Sequence, residues 1–172
     1  MNRLVLWVAQ GFGAGRIPIA PGTWGSVVGL AWLGGLLATG TVTGLLVGTL
    51  LGLALSVWCC GRAEVLLGKT DPPSVVLDEI VAVPVCFAGP IVLDLWRTGH
   101  LPAPAAFFQP QHLALTALLW TAFRFFDIVK PWPVRSSQAL PGGWGITIDD
   151  LLAALYVNLV YAGGTGLQTW WG

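Results

Sequence analysis

Hydrophobic positions along the chain fall into long runs broken by short polar and glycine-rich stretches. Runs long enough to cross a bilayer, or nearly so, extend from Trp24 to Ala38, Val42 to Cys60, Val75 to Trp96, His112 to Val129 and Leu151 to about Trp170. A crossing needs about 20 apolar residues in a helix, so the pattern predicts an all-α bundle of about five spans. Only Thr39, Gly40 and Thr41 separate the first two runs, which implies a tight helical hairpin. The apolar stretch from Leu4 to Ala9 is too short to cross and is followed by glycines, so it reads as a helix lying in the membrane interface rather than a cleavable signal.

Composition supports the same solvent. Hydrophobic residues make up 55% of the 172 positions and charged ones only 9%, with a mean hydropathy of +0.76. Soluble domains carry about 25% charged residues, so this chain has too little charge to cover a water-facing surface. The length suits one domain over residues 1–172. The charges balance, which excludes a global field for nucleic acid. Cys59, Cys60 and Cys86 sit in apolar runs without the spacing of a zinc site or a disulfide scaffold, and read as packed residues.

Placing the amino terminus in the cytoplasm puts Arg3, Arg16, Arg62, Lys69, Arg124, Lys130 and Arg135 inside and only Arg97 outside, the bias expected of a cytoplasmic face. Trp58, Trp132 and Trp144 then fall near the inner interface, and Trp96, Trp170 and Trp171 near the outer one. The acids gather at the same end, although the rule for cations does not demand it. Glu64, Asp71, Asp78, Glu79, Asp127, Asp149 and Asp150 are inside, and Asp94 alone is outside. Asp78, Glu79, Asp127, Asp149 and Asp150 share one depth near the ends of three spans. Ionisable groups in spans are costly and face a bundle interior or a cavity, so a shared site is the default expectation.

Three segments feed that depth. Gly11 to Ser26 is rich in glycine and runs into the first span; it suits either a phosphate-holding loop, with Thr23 and Ser26 adding hydroxyls, or a plain interfacial turn. It lacks the lysine of a P-loop. Phe123 to Val134 places Arg124, Asp127 and Lys130 three residues apart on one helical face before Pro131 and Pro133. Those three suit a phosphate and a metal, or a structural ion pair with cations facing lipid headgroups. Gly142 to Asp150 is a second glycine-rich approach, ending in adjacent acids that could cap a helix. Capping accounts for one aspartate better than for two beside Asp78 and Glu79, whereas a divalent cation relieves their mutual repulsion. Oxygen ligands without histidine or cysteine point to Mg2+. His100 and His112 lie at the opposite end, and no nucleophile elbow is present.

Four ordered blocks resemble the phosphatidylglycerophosphatase A family, bacterial membrane enzymes that dephosphorylate phosphatidylglycerol phosphate. They are Gly11-Phe-Gly to Pro-Gly-Thr-Trp-Gly-Ser26, Ser74-Val-Val-Leu-Asp-Glu-Ile-Val81, Phe123-Arg to Lys130-Pro-Trp-Pro133, and Gly142-Gly-Trp-Gly-Ile to Asp149-Asp150. The chain departs from the family pattern at Ala82, Ala154 and Thr147, which bear on packing more than on chemistry. The resemblance implies a magnesium-dependent lipid phosphatase of phospholipid biosynthesis in the bacterial inner membrane, with its site on the cytoplasmic side. Asp78, Glu79, Asp127, Asp149 and Asp150 become the catalytic acids, with Asp78, Glu79, Asp149 and Asp150 holding the metal. Arg124, Lys130, Gly13, Thr23, Gly25 and Ser26 become the phosphate-binding set. The expected partner is a membrane phospholipid. The rivals are a phosphatase of another lipid phosphate, and a small cation-binding membrane protein.

Overall fold

The computed structural model describes residues 2–171, with side-chain surroundings through Thr165. Eight α-helices follow one another: α1 (Asn2–Ala9), α2 (Pro21–Leu37), α3 (Val42–Leu67), α4 (Leu77–Cys86), α5 (Ala88–Thr98), α6 (Pro110–Val129), α7 (Val134–Ser137) and α8 (Gly143–Trp171). No strand occurs among the described residues, so the chain is the all-α membrane bundle the apolar runs predict.

Among the described residues, four stretches are long and apolar enough to cross a bilayer: Val42–Leu67, Leu77–Thr98, Pro110–Val129 and Gly143–Thr165. The fifth expected span, α2, has 17 residues. At 1.5 Å per residue it reaches about 25 Å, short of a hydrocarbon core of about 30 Å. Pro21 at its first turn and the turn after Leu37 fix both ends. Thr41 begins α3, its hydroxyl accepting the Gly44 N–H at 3.0 Å, so the expected hairpin carries a threonine cap.

The third span is not one rod. It breaks at Phe87, between α4 and α5, with Pro84 in the first half and Pro90 in the second. Pro90 has no N–H for the carbonyl four residues back. Asn158 of α8 serves the break from the side: its Oδ1 accepts the Gly89 N–H at 2.6 Å, and its Nδ2 donates to the Val85 carbonyl at 2.7 Å. A polar side chain at mid-span is thereby used up holding two helix halves together.

Glycine sets how closely the helices approach. A Cβ on Gly25 would stand 2.7 Å from the Val76 Cβ, and one on Gly29 would stand 2.9 Å from the Ile80 carbonyl, so α2 lies directly along α4. Gly61 and Gly143 bring α3 and α8 together: a Cβ on Gly143 would reach within 2.7 Å of the Gly61 N. Alongside, Ser56 and Thr147 share a hydrogen bond of 2.9 Å. Ala82 and Ala154 are both fully buried in one apolar core with Phe87, Phe123 and Val157.

The short amino-terminal helix packs on the bundle by one face. Val5 and Ala9 of α1 pack against Cys59, Cys60 and Ala63, while Leu4 and Trp7 face outward. All three cysteines are buried and free. Trp58, Trp132 and Trp144 are exposed at the end of the bundle that holds the acids, and Trp96 at the other. The side chains of Trp170 and Trp171 lie outside the described residues.

Candidate active site

Three helices deliver the acids. Asp78 and Glu79 occupy the first turn of α4, Asp127 the last turn of α6, and Asp149 and Asp150 lie on α8. The sequence suggested that the last pair opens its helix. Instead α8 starts at Gly143, because that residue packs against the α3 backbone and is drawn into the helix. Asp150 therefore sits about 10 Å from the helix start, and neither aspartate is a cap. All five acids are buried, Asp150 to 2% exposure.

They line a cavity of about 250 Å³ together with Asp71, Pro72, Pro73, Val75, Ile128 and Lys130. Within it, one oxygen from each of Asp78, Glu79 and Asp150 lies within 4.8 Å of the others. Asp78 Oδ1, Glu79 Oε2 and Asp150 Oδ2 have no hydrogen-bond partner. Three buried carboxylates this close repel one another, and among the described residues only Glu79 of the three is paired with a cation, Arg124. Three carboxylate oxygens this close would suit the oxygen-only ligation that magnesium takes. The donor set fits a hard divalent cation.

Asp149, expected among the metal ligands, is placed otherwise. Its Oδ2 pairs with Lys130 Nζ and accepts from Gln138 Nε2 at 3.1 Å, and its Oδ1 accepts the Asp150 N–H at 3.0 Å. Each oxygen already accepts at least one hydrogen bond, unlike the free oxygens of the trio. Asp127 also serves the cations: its Oδ2 lies 2.8 Å from Arg124 Nη1, and its Oδ1 lies 3.7 Å from Lys130 Nζ. The ion-pair reading of the Arg124–Asp127–Lys130 triplet is thus realised within the site itself.

Lys130 ends α6 in a left-handed conformation, φ 48°. Non-glycine residues reach this region at a cost of order 1 kcal/mol; here it turns the ammonium back over Asp127 and Asp149. Burial works against its charge, but the hydrogen bond to Asp149 and the surrounding carboxylates outweigh it and push its pKa up to about 12. Lys130 stays cationic throughout the neutral range.

Arg124 stands behind Glu79, its Nη1 3.7 Å from Glu79 Oε1. Its Nε and Nη1 lack hydrogen-bond partners, the 2.8 Å approach to Asp127 being misaligned for one. Gly22, in the first turn of α2, covers both groups. A Cβ there would run into Glu79 Oε1 and stand 2.8 Å from Arg124 Nη2. Within the glycine-rich block, Gly22 is thus the residue that touches the charged cluster, and sequence reasoning passed over it. Asp71, in the cavity wall, was also passed over; it joins through Gln138, whose Nε2 donates to Asp71 Oδ2 at 3.5 Å.

The other loop residues divide. Thr23 follows Gly22 and is half-buried. Ser26 is fully buried, donating to the Thr23 carbonyl at 2.9 Å and accepting from Trp120 Nε1 at 3.0 Å, so its hydroxyl ties α2 to α6. Gly25 is taken up by the close contact with Val76. Gly13, at φ 109°, has open space where a side chain would stand.

Helices long and apolar enough to cross a membrane thus bring five buried acids and Lys130 to one terminal cavity, the arrangement of an integral-membrane protein with a polar site at one end. The phosphatidylglycerophosphatase A family model matches residues 7–164, and the chain belongs to that family of phosphatases. It is 38% identical to phosphatidylglycerophosphatase A of Haemophilus influenzae over 154 residues, covering 89% of this chain and 83% of the relative. It is 31% identical to the Escherichia coli enzyme of that name over 150 residues, 86% of this chain and 76% of the relative. A Bacteroides thetaiotaomicron protein provisionally named a phosphatidylinositol-3-phosphatase is 32% identical over 164 residues, 92% of each chain. No solved structure matches the chain.

Proposed function

We propose that the chain hydrolyses phosphatidylglycerol phosphate to phosphatidylglycerol and inorganic phosphate, with Mg2+ held by Asp78, Glu79 and Asp150. The observation that carries this reading is that carboxylate oxygens of Asp78, Glu79 and Asp150 without hydrogen-bond donors share one cavity with the Lys130 ammonium; a divalent cation suits the first and a phosphate the second. When bound, the metal supplies Lewis-acid stabilisation of charge on the phosphoryl oxygens. Lys130 faces the cavity and attracts the phosphate, while Asp149 and Asp127 hold its ammonium in place. Arg124, oriented by Asp127, adds positive charge behind Glu79. In the hydrolysis a water oxygen replaces the terminal glycerol oxygen on phosphorus, and that oxygen leaves as a hydroxyl. The acyl chains remain in the leaflet throughout.

The gathering of Arg3, Arg16, Arg62, Lys69, Arg124, Lys130 and Arg135 at the end that holds the acids supports a site on the cytoplasmic side of a bacterial inner membrane, in phospholipid biosynthesis. A second reading, a phosphatase of another lipid phosphomonoester, draws on the name of the Bacteroides relative. Phosphate release from phosphatidylglycerol phosphate, phosphatidylinositol 3-phosphate and phosphatidic acid, each with magnesium or a chelator, separates them. Release from the first substrate at the highest kcat/KM, lost with the chelator, is expected. Preference for another lipid selects the second reading, and release that survives chelation removes the metal.

A further inference from the structure

We propose that the opposite end of the bundle binds a zwitterionic aminophospholipid, with its phosphate on Arg97, its primary ammonium on Asp94 and its acyl chains in two grooves flanking α5. Asp94 and Arg97 lie in the last two turns of α5, at a spacing that usually permits an ion pair. Neither forms one among the described residues. Both instead line one cavity of about 240 Å³, together with His112 and Tyr161. Two unpaired charges of opposite sign in one small, mostly apolar cavity match the two ends of a dipolar headgroup. An anionic headgroup would leave Asp94 facing like charge.

Two apolar grooves adjoin this cavity. One, of about 840 Å³, runs between α5, α6 and α8 and shares Leu93, Arg97, Leu115 and Tyr161 with it. The other, of about 830 Å³, lies between α5 and α8 and meets the first at Trp96 and Tyr161. They exist because the chain breaks at Phe87, where Asn158 holds only the start of α5 against α8. Each groove takes one acyl chain, and the headgroup sits where they meet. A primary ammonium donates hydrogen bonds to a carboxylate, which the quaternary ammonium of a choline lipid cannot do.

The test is native mass spectrometry of the full chain from detergent, after incubation with equal amounts of phosphatidylethanolamine, phosphatidylcholine and phosphatidylglycerol of matched chain length. Retention of the ethanolamine lipid over the choline lipid is expected at about fivefold, the worth of one partly exposed ion pair. Asp94→Asn is expected to erase that preference, and Arg97→Gln to lower retention of both lipids. The preference persists in Asp150→Asn, which separates this site from the acidic cavity. Phosphatase turnover of the Asp94 and Arg97 variants reports that they are folded. Equal retention of the two lipids by the wild type, a preference surviving Asp94→Asn, or a lipid-free dimer as the main species would overturn the proposal.

Discussion

The two halves of the third span, α4 and α5, are joined at one residue and live in different surroundings. Nearly every residue of α4 is buried, including Asp78 and Glu79, because α2, α3, α6 and α8 all pack around it. In α5 only Pro90 and Ile91 are buried. Both belong to one apolar run in the sequence, and α4 is the more apolar of the two although it carries two acids. The difference is partnership: α4 can carry carboxylates because neighbouring helices supply cations and exclude lipid, whereas α5 carries its charges only at its free end. Ionisable groups within a membrane mark the best-packed stretch of a helix, where their surroundings can be held fixed.

The sharpest way to break this contrast is Asp150→Asn, which removes one of the three unpaired carboxylates. Phosphate release is expected to fall about a hundredfold to a thousandfold. Thermal stability without metal should hold or rise, because a repelling buried charge has gone. A matching loss of stability would make Asp150 structural instead. Next, Gly22→Ala presses a methyl group onto Glu79 and Arg124. Displacement by about 1 Å costs up to about a hundredfold in turnover, so activity should fall well before the melting temperature does. Steady-state kinetics beside a melt checks this.

Asn158→Leu probes the joint itself. It leaves the Gly89 N–H and the Val85 carbonyl without their side-chain partner, a loss of about 1–3 kcal/mol in stability, while the acidic cavity keeps its geometry. The expected outcome is a lower melting temperature with kcat/KM nearly unchanged. The smallest effect should come from Val92→Ala in α5, at an exposed position, with a change of about 0.5 kcal/mol or less. Ala82→Val in α4, where no space remains, should cost about 1–3 kcal/mol by overpacking. Equal effects in the two halves, read from melts, would erase the comparison.

Much of this was legible in the sequence for a physical reason. Charge is so rare in the chain that the five acids stand out, and their common depth follows from span order alone. Arg124, Asp127 and Lys130 could be placed on one helical face by spacing. Assignments that depend on atoms rather than residues were not legible. Asp149 and Asp150 are neighbours in sequence, yet a step of about 100° around α8 sends one to Lys130 and the other to Asp78 and Glu79. Ser26 looked like a phosphate ligand because it follows the glycine block; its Trp120 partner is 94 residues away and invisible to local pattern. The break at Phe87 had a signal in Pro84 and Pro90, but an apolar run of that length hid it. The mid-span Asn158 that repairs the break was likewise hidden within a run that is almost wholly apolar.

We propose that Asp78, Glu79 and Asp150, rather than Asp149, hold the divalent cation. Electron paramagnetic resonance with Mn2+ as the probe, titrated into the full chain in detergent, tests it most directly. The wild type is expected to bind one ion per chain. Asp150→Asn should weaken binding by about tenfold or more, as removal of one charged ligand does, while Asp149→Asn should change it by less. Undiminished binding in Asp150→Asn, or an equal loss in the two variants, would contradict the account.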